Sequence, residues 1–336
     1  MSDNAIFLCN AKRTAIGSFG GALAGVSSTD LGAAILKGVI ESAKLPGELV
    51  QEVIMGQVLS AGTGQAPTRQ AMIKAGLPPT VHAMTINKVC SSGLKAVMLA
   101  TTAIRAGETE CAIAGGMENM SQAPYLLPSL RNGARLGHTQ AEDSIIRDGL
   151  WDVYNNYHMG NAAELCAREL NISRVAQDEF ALESYRRAND AIKTGKFADE
   201  ILSIKVPAGR ETVDFAVDEE PGKLKADKVP QLKPAFLKDG TVTAANASSL
   251  NDGAAAMIVC TETFAKKHNL DPFARVIGTN TFGQAPEWFT TAPVGAIEGM
   301  LSRAKMTLSQ IDLIEINEAF SAVGIACGSK LSITKE

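Results

Sequence analysis

The sequence predicts an α/β fold built on a mostly parallel, doubly wound sheet, and three observations carry that expectation. Apolar, β-branched runs alternate with segments of helical period from Ala5 to Met117. Hydrophobic residues make up 46% of the 336 positions and glycine supplies 30, against only 5% aromatics, a balance suited to close packing of helices on a sheet. A short internal repeat recurs at a constant offset of 261: Ala43-Lys44-Leu45 matches Ala304-Lys305-Met306, and Val50, Val53 and Met55 match Ile311, Ile314 and Ile316. Each copy reads as a helix end followed by a strand, the mark of a duplicated α/β half.

Taken in order, Ala5 to Cys9 is a first strand, and a Gly-rich turn then leads to Thr29-Asp30 as the cap of a helix with Leu31, Ile35, Val39 and Ile40 on one face. Leu49-Val50 and Val53 to Met55 form the next strand, ending at Gly56, and Gln65 to Ala75 a second helix before Pro78-Pro79. Ala83 to Ile86 is a strand that runs through a tight turn at Cys90 into a helix ending at Gly107. Cys111 to Met117 is a small-residue strand whose Gly115-Gly116 pair permits close approach of backbone or ligand.

From Ser121 the rhythm breaks, with Pro124, Pro128, Arg131, Arg135, His138 and Trp151 marking an inserted segment. It holds amphipathic helices over 161–170 and 173–192, an alternating strand over 212–217 and a polar loop with Lys223, Lys225, Lys228 and Lys233, read as a solvated surface. Ala254 to Cys260 returns the chain to the sheet. The expected domains are therefore 1–120 plus 245–270 as one half, 121–244 as an inserted loop domain, and 271–336 as part of a second half. At the repeat offset, the counterpart of the Cys90 turn falls beyond Glu336, so the second half reads as incomplete.

A net charge of -4 argues against a nucleic-acid surface, which needs clustered Lys and Arg to neutralise phosphates. Six cysteines with no Cys-x-x-Cys pair remove the common zinc and redox spacings and suit a reduced protein or one functional thiol. Asp3 near the start and the absence of a long apolar run predict a cytoplasmic chain that neither spans nor enters a membrane.

Cys90 is the candidate nucleophile. A thiol in the first turn of a helix faces unpaired N–H groups and the positive end of the macrodipole, which favours thiolate. The commoner fate of an isolated cysteine, a small buried hydrophobe, stands beside that reading.

Five motifs in order widen the argument: Asn87-x-x-Cys90-x-Ser92-Gly93, Ala114 to Ser121, Tyr157-His158-Met159-Gly160, Asn246-Ala247-Ser248-x-x-Asn251-Asp252-Gly253 and Asn317-Glu318-Ala319-Phe320. Together they resemble the thiolase family, and the short-chain acetoacetyl-CoA type above all through His158-Met159. The resemblance implies a five-layered thiolase fold of duplicated α/β halves with an inserted loop domain that binds coenzyme A. It also implies reversible condensation of two acetyl-CoA to acetoacetyl-CoA, coenzyme A thioesters as substrates with no permanently bound cofactor or metal, and a homodimer or homotetramer. By the same resemblance Cys90 would carry the acyl group, and Asn317 would hold a water beside the enolate oxygen. Leu150, His158, Met159, Phe236, Ala244, Ser248, Ala319 and Phe320 would line the coenzyme A channel. For Met159, Phe236 and Phe320 the alternative is plain core packing, for His158 a helix-end histidine, and for Ser248 a turn serine.

Two family strings, Gly-His-Pro-x-Gly and Cys-x-Gly-Gly-x-Gly, do not occur: Gly137-His138 is followed by Thr139, and Cys327-Gly328 by Ser329. Ser249 and Ala245 stand where glycine is common in the family. The alternative expectation is accordingly a shortened, catalytically impaired homologue acting as a coenzyme A-binding or assembly partner. The insert from Ser121 to Ala244 argues against a fatty-acid condensing enzyme acting on carrier-bound acyl groups.

Overall fold

The computed structural model describes residues 5–333. In chain order, β1 (Ile6–Thr14) and β2 (Gly17–Ser18) precede α1 (Ser28–Ala43), β3 (Glu52–Gly56), α2 (Pro67–Lys74), β4 (His82–Ile86), α3 (Ser92–Ala106) and β5 (Cys111–Asn119). Short pairs follow, β6 (Tyr125–Leu126) with β7 (Glu142–Asp143) and β8 (Trp151–Asp152) with β9 (Tyr157–His158), then α4 (Met159–Glu169) and α5 (Arg174–Lys193). The remainder is β10 (Ile201–Leu202), the hairpin β11 (Ile204–Ala208) and β12 (Glu211–Phe215), β13 (Asn251–Thr261), α6 (Glu262–Lys267), β14 (Pro272–Arg275), α7 (Ala292–Ala304) and α8 (Ser321–Leu331).

The chain divides into two compact units. One comprises 1–149, 195–219 and 250–276, and the other 150–194, 220–249 and 277–336. The first unit is organised by a sheet of order β10-β1-β13-β5-β3-β4, with β14 on β1 and β2 on β13. The expectation of a mostly parallel sheet is corrected here. β3 is parallel to β4 and β5, but β13 runs antiparallel to both β1 and β5 at the centre. Helical crossovers α2 and α3 impose parallel pairing on β3, β4 and β5, whereas β13 re-enters the sheet only after residues 120–250 and is bound by no such crossover.

Both faces of this sheet are covered. Leu31, Ile35, Leu36 and Val39 of α1 pack with Met55, Ile113 and Ile258 on one side, and Ala96, Ala100 and Ile104 of α3 pack with Ile54, Ala112 and Val259 on the other. The α1 cap is Ser27, one position before the helix, whose hydroxyl accepts from the Asp30 N–H at 3.1 Å; Thr29 and Asp30 lie inside the first turn.

The second unit is mainly helical, with the short β8–β9 pair at its start. Cys166 and Ala167 of α4 pack with Ala322 and Ala326 of α8, and a β-carbon on Gly324 would strike the Phe180 ring, so glycine there lets α5 and α8 approach. The repeat holds residue for residue through its helix end. Lys44 and Lys305 both cap their helices in the left-handed region, at φ 50° and 55°, and each is followed by a 3₁₀ turn, Gly47–Leu49 and Leu308–Gln310. It then fails: Val53 to Met55 lie in β3 between β4 and β5, while 311–316 forms no strand and Leu313 is 90% exposed. A strand needs neighbours for its backbone groups, and among the described residues this unit has none beyond Ile277. Leu49 and Val50, expected in the strand, belong to the 3₁₀ turn and its cap. Among the described residues no helix is long and apolar enough to cross a membrane.

Candidate active site

Cys90 sits at a strand-to-helix turn of the first unit and is the one exposed cysteine of the six. It stands one residue ahead of the α3 cap, Ser91, and not in the first turn as the sequence suggests. The turn is stapled by side chains. Ser92 accepts from the Lys88 N–H at 2.8 Å and donates to the Val89 carbonyl at 2.6 Å, while Ser91 donates to the Lys88 carbonyl at 3.0 Å. Val89 is held in the left-handed region at φ 48°, a costly conformation for a β-branched residue, and Asn87 accepts from its N–H at 2.9 Å.

Three glycines seat this turn on the sheet. A β-carbon on Gly56 would lie 2.5 Å from the Ser92 carbonyl carbon, and one on Gly116 3.4 Å from the Gly93 α-carbon. The Gly115-Gly116 pair read from sequence as a site of close approach thus receives the helix start.

The expectation of a thiolate favoured by the helix end is also corrected. Loss of solvation beside the packed turn raises the Cys90 thiol above the ordinary cysteine value, outweighing the lowering from its own backbone N–H. The thiol is reachable from solvent yet stays protonated at neutral pH, so its use as a nucleophile calls for a base.

In the second unit His158 caps α4, its Nδ1 accepting the Gly160 N–H at 3.0 Å. That bond fixes the neutral tautomer with the proton on Nε2, and burial lowers the imidazole's pKa in the same sense. The ring stacks on Phe236, which meets Phe320 edge-on with centroids 6.2 Å apart. Phe289, which no sequence signal singled out, meets the same Phe320 edge-on at 6.3 Å. Behind them Ala163, Val242, Val323 and Cys327 form the apolar floor.

The Ala244–Ser248 loop is held by Asn246. Its amide donates to Asp178 at 2.9 Å and to the Thr241 carbonyl at 3.1 Å, and its oxygen accepts from the Thr243 N–H at 2.8 Å. The Ser248 N–H donates to the Ala319 carbonyl at 3.0 Å, and Ala247 bridges Phe320, which brings two of the sequence motifs together. Thus His158, Phe236, Phe320, Ser248 and Ala319 fall in one connected patch. Met159 opens α4 beside it, half-buried Leu150 begins the unit, and Ala244 and Asn317 are exposed on the flanking segments. Cys90 belongs to the other unit.

Models of the thiolase N-terminal domain and the thiolase C-terminal domain match residues 6–263 and 270–336. The chain therefore belongs to the thiolase family and is an acyltransferase of the α/β thiolase fold.

Among its relatives, the acetyl-CoA acetyltransferase of Cupriavidus necator is 52% identical over 96% of this chain and 82% of that protein. The acetyl-CoA acetyltransferase of Pseudomonas aeruginosa is 49% identical over 97% and 84%. The crystal structure of the Bacillus anthracis acetyl-CoA acetyltransferase superposes with a TM-score of 0.96 at 38% identity, covering 99% of this chain and 84% of that one. A thiolase from Ascaris suum in complex with coenzyme A gives 0.93 at 39% identity, covering 98% and 85%.

Proposed function

We propose that this protein is an acetyl-CoA C-acetyltransferase that interconverts two acetyl-CoA with acetoacetyl-CoA and free coenzyme A. The observation that carries the reading is the single exposed thiol, Cys90, presented at a stapled turn in a thiolase-family chain half identical to acetyl-CoA acetyltransferases.

In this mechanism the Cys90 sulfur attacks the thioester carbonyl of acetyl-CoA and breaks its carbon–sulfur bond, and coenzyme A leaves as the free thiol with the proton that Cys90 gives up, leaving an acetyl-enzyme. A second acetyl-CoA loses an α-proton, and its carbanion attacks the acetyl-enzyme carbonyl. The carbon–sulfur bond to Cys90 then breaks, the departing Cys90 thiolate recovers a proton in place of the α-proton that was lost, and acetoacetyl-CoA is formed. Asn317 takes the role of holding a water at the enolate oxygen.

His158, Met159, Phe236, Phe320, Leu150, Ala244, Ser248 and Ala319 take the pantetheine arm and its thioester. A connected patch of aromatic rings and small residues supports that assignment, since it offers flat apolar walls with few polar groups. A cytoplasmic homodimer or homotetramer belongs to the same proposal and rests on the family resemblance; light scattering of the purified protein tests the assembly.

The chemistry is tested by incubating the protein with acetyl-CoA, trapping in acid and digesting. The expected result is an acetyl adduct on the Cys90 peptide, absent in Cys90→Ala, together with thiolysis of acetoacetyl-CoA by free coenzyme A. An unmodified Cys90 peptide overturns the assignment. An adduct without thiolysis would favour the impaired homologue, the alternative raised by the two missing strings.

A further inference from the structure

We infer that Glu118 is a positioning residue for Cys90, acting through the backbone of Val58 and the side chain of Asn87. The inference deepens the reading of Cys90 as nucleophile and rests on it.

It begins where the sheet ends. β3 pairs with β5 only as far as Gly56 opposite Gly116, and the Gln57 N–H still reaches the Ile86 carbonyl of β4 at 3.0 Å, but the Val58 and Leu59 N–H groups lie past both ladders. Glu118, two residues beyond Gly116 on β5, supplies the acceptors. Its Oε2 takes the Val58 N–H at 2.7 Å, and its two oxygens share the Leu59 N–H at 3.3 and 3.4 Å.

The segment so fixed leads to the thiol. The Val58 carbonyl accepts from the Asn87 amide at 3.4 Å, and the Asn87 oxygen accepts from the Val89 N–H at 2.9 Å. Val89 is the residue in the left-handed region immediately before Cys90. A strained conformation persists only where its surroundings over-determine it, and here Asn87 and Ser92 grip it from two sides. Asn87 is itself exposed, so its orientation depends on the Val58 carbonyl it reaches for, and that carbonyl depends on Glu118.

The choice of a carboxylate is informative. Burial raises the Glu118 carboxyl, the Val58 and Leu59 amides it accepts from lower it, and Asp252 raises it a little further, so placing this group here carries a solvation cost. The backbone amides it receives are the compensation, and their geometry is what a carboxylate or carboxamide oxygen supplies and an alkyl group does not.

The test measures acetyl transfer from acetyl-CoA to Cys90 in Glu118→Ala, Glu118→Gln, Asn87→Ala and the Glu118→Ala/Asn87→Ala pair, with iodoacetamide labelling of Cys90 in parallel. Glu118→Ala and Asn87→Ala should each slow acetyl transfer by roughly tenfold, with the acetyl-CoA concentration for half-maximal rate changed less than about twofold. The double variant should lose no more than the worse single one, because both act along one path. Glu118→Gln, whose amide oxygen still accepts from Val58 and Leu59, should stay within about threefold of wild type.

Multiplying losses in the double variant, or wild-type transfer in folded Glu118→Ala, would overturn the inference. Should wild type itself take no acetyl group, the nucleophile reading fails, and iodoacetamide then judges the positioning alone. Equal shifts in labelling rate for the two single and the double variants sustain it, and unshifted rates reject it.

Discussion

The His158 imidazole lies stacked on the Phe236 ring, with centroids 4.7 Å apart and planes inclined by 24°. Gly160 makes this possible, since a β-carbon there would run into the Phe236 ring. Gly160→Ala should therefore push Phe236 off the stack at a stability cost of about 1 to 3 kcal/mol, the usual range for overpacking. The functional consequence is weaker binding of coenzyme A, measured as a raised half-saturation concentration by calorimetry. Unchanged affinity in Gly160→Ala would show that the stack is packing alone.

The cap bond of His158 predicts a pH dependence. Nδ1 accepts the Gly160 N–H only when the ring is neutral at that nitrogen, and burial lowers the folded-state pKa below the ordinary histidine value of 6.5. At pH above 6.5 both folded and unfolded states are neutral and the cap contributes in full. As pH falls below 6.5 the unfolded chain takes up the proton first, so stability is lost progressively until pH passes the folded pKa. His158→Asn keeps an acceptor that does not titrate. The stability difference between wild type and this variant should shrink, or change sign, on acidification. Denaturation midpoints at a series of pH values measure it, and a difference independent of pH removes the titration argument.

Native thiol counting follows from burial. Cys9, Cys111, Cys166, Cys260 and Cys327 are buried, and desolvation pushes the thiols of Cys111 to about 12 and Cys327 to about 11. A disulfide reagent at neutral pH should modify Cys90 alone within minutes, and all six cysteines only after unfolding. Rapid reaction of a second native thiol would contradict this packing.

What the sequence showed of this fold follows from where the information lies. The α3 stop at Gly107, the αL helix ends at Lys44 and Lys305, and the cap at His158 depend on a few adjacent residues, so local pattern reaches them. The antiparallel placement of β13 depends on a return from over a hundred residues away and left no local trace. The same division runs through the site. Cys90 and the Ser92 staple share one turn and are legible as a motif. The link from Glu118 through Val58 to Asn87 crosses three strand ends, and the meeting of Phe289 with Phe320 joins separate elements. The 311–316 segment shows the converse error: its residue pattern copies β3, but a pattern without neighbouring strands does not make a ladder.

The seat of the Cys90 turn yields a graded prediction across three glycines. At Gly56 an added β-carbon would stand 2.5 Å from both the carbonyl carbon and the β-carbon of Ser92 and 2.7 Å from the Gly93 nitrogen, and no flexible side-chain tip is available to yield. At Gly116 its nearest neighbours would be 3.4 Å away, the Gly56 oxygen and the Gly93 α-carbon, a contact relieved by a few tenths of an ångström. At Gly93 the nearest would be 3.8 Å, an ordinary contact, and the residue lies in the first turn of α3, where alanine favours the helix. Gly56→Ala should thus cost at least about 3 kcal/mol, and Gly116→Ala about 1. Gly93→Ala should be neutral or stabilising by up to about 1 kcal/mol. Acetyl transfer to Cys90 should fall in the same order, because each clash is relieved by moving the helix start that carries the turn. Urea midpoints and transfer rates on the three variants check both rankings. A Gly93→Ala protein less stable than Gly56→Ala would mean that the turn is seated by something other than these close approaches.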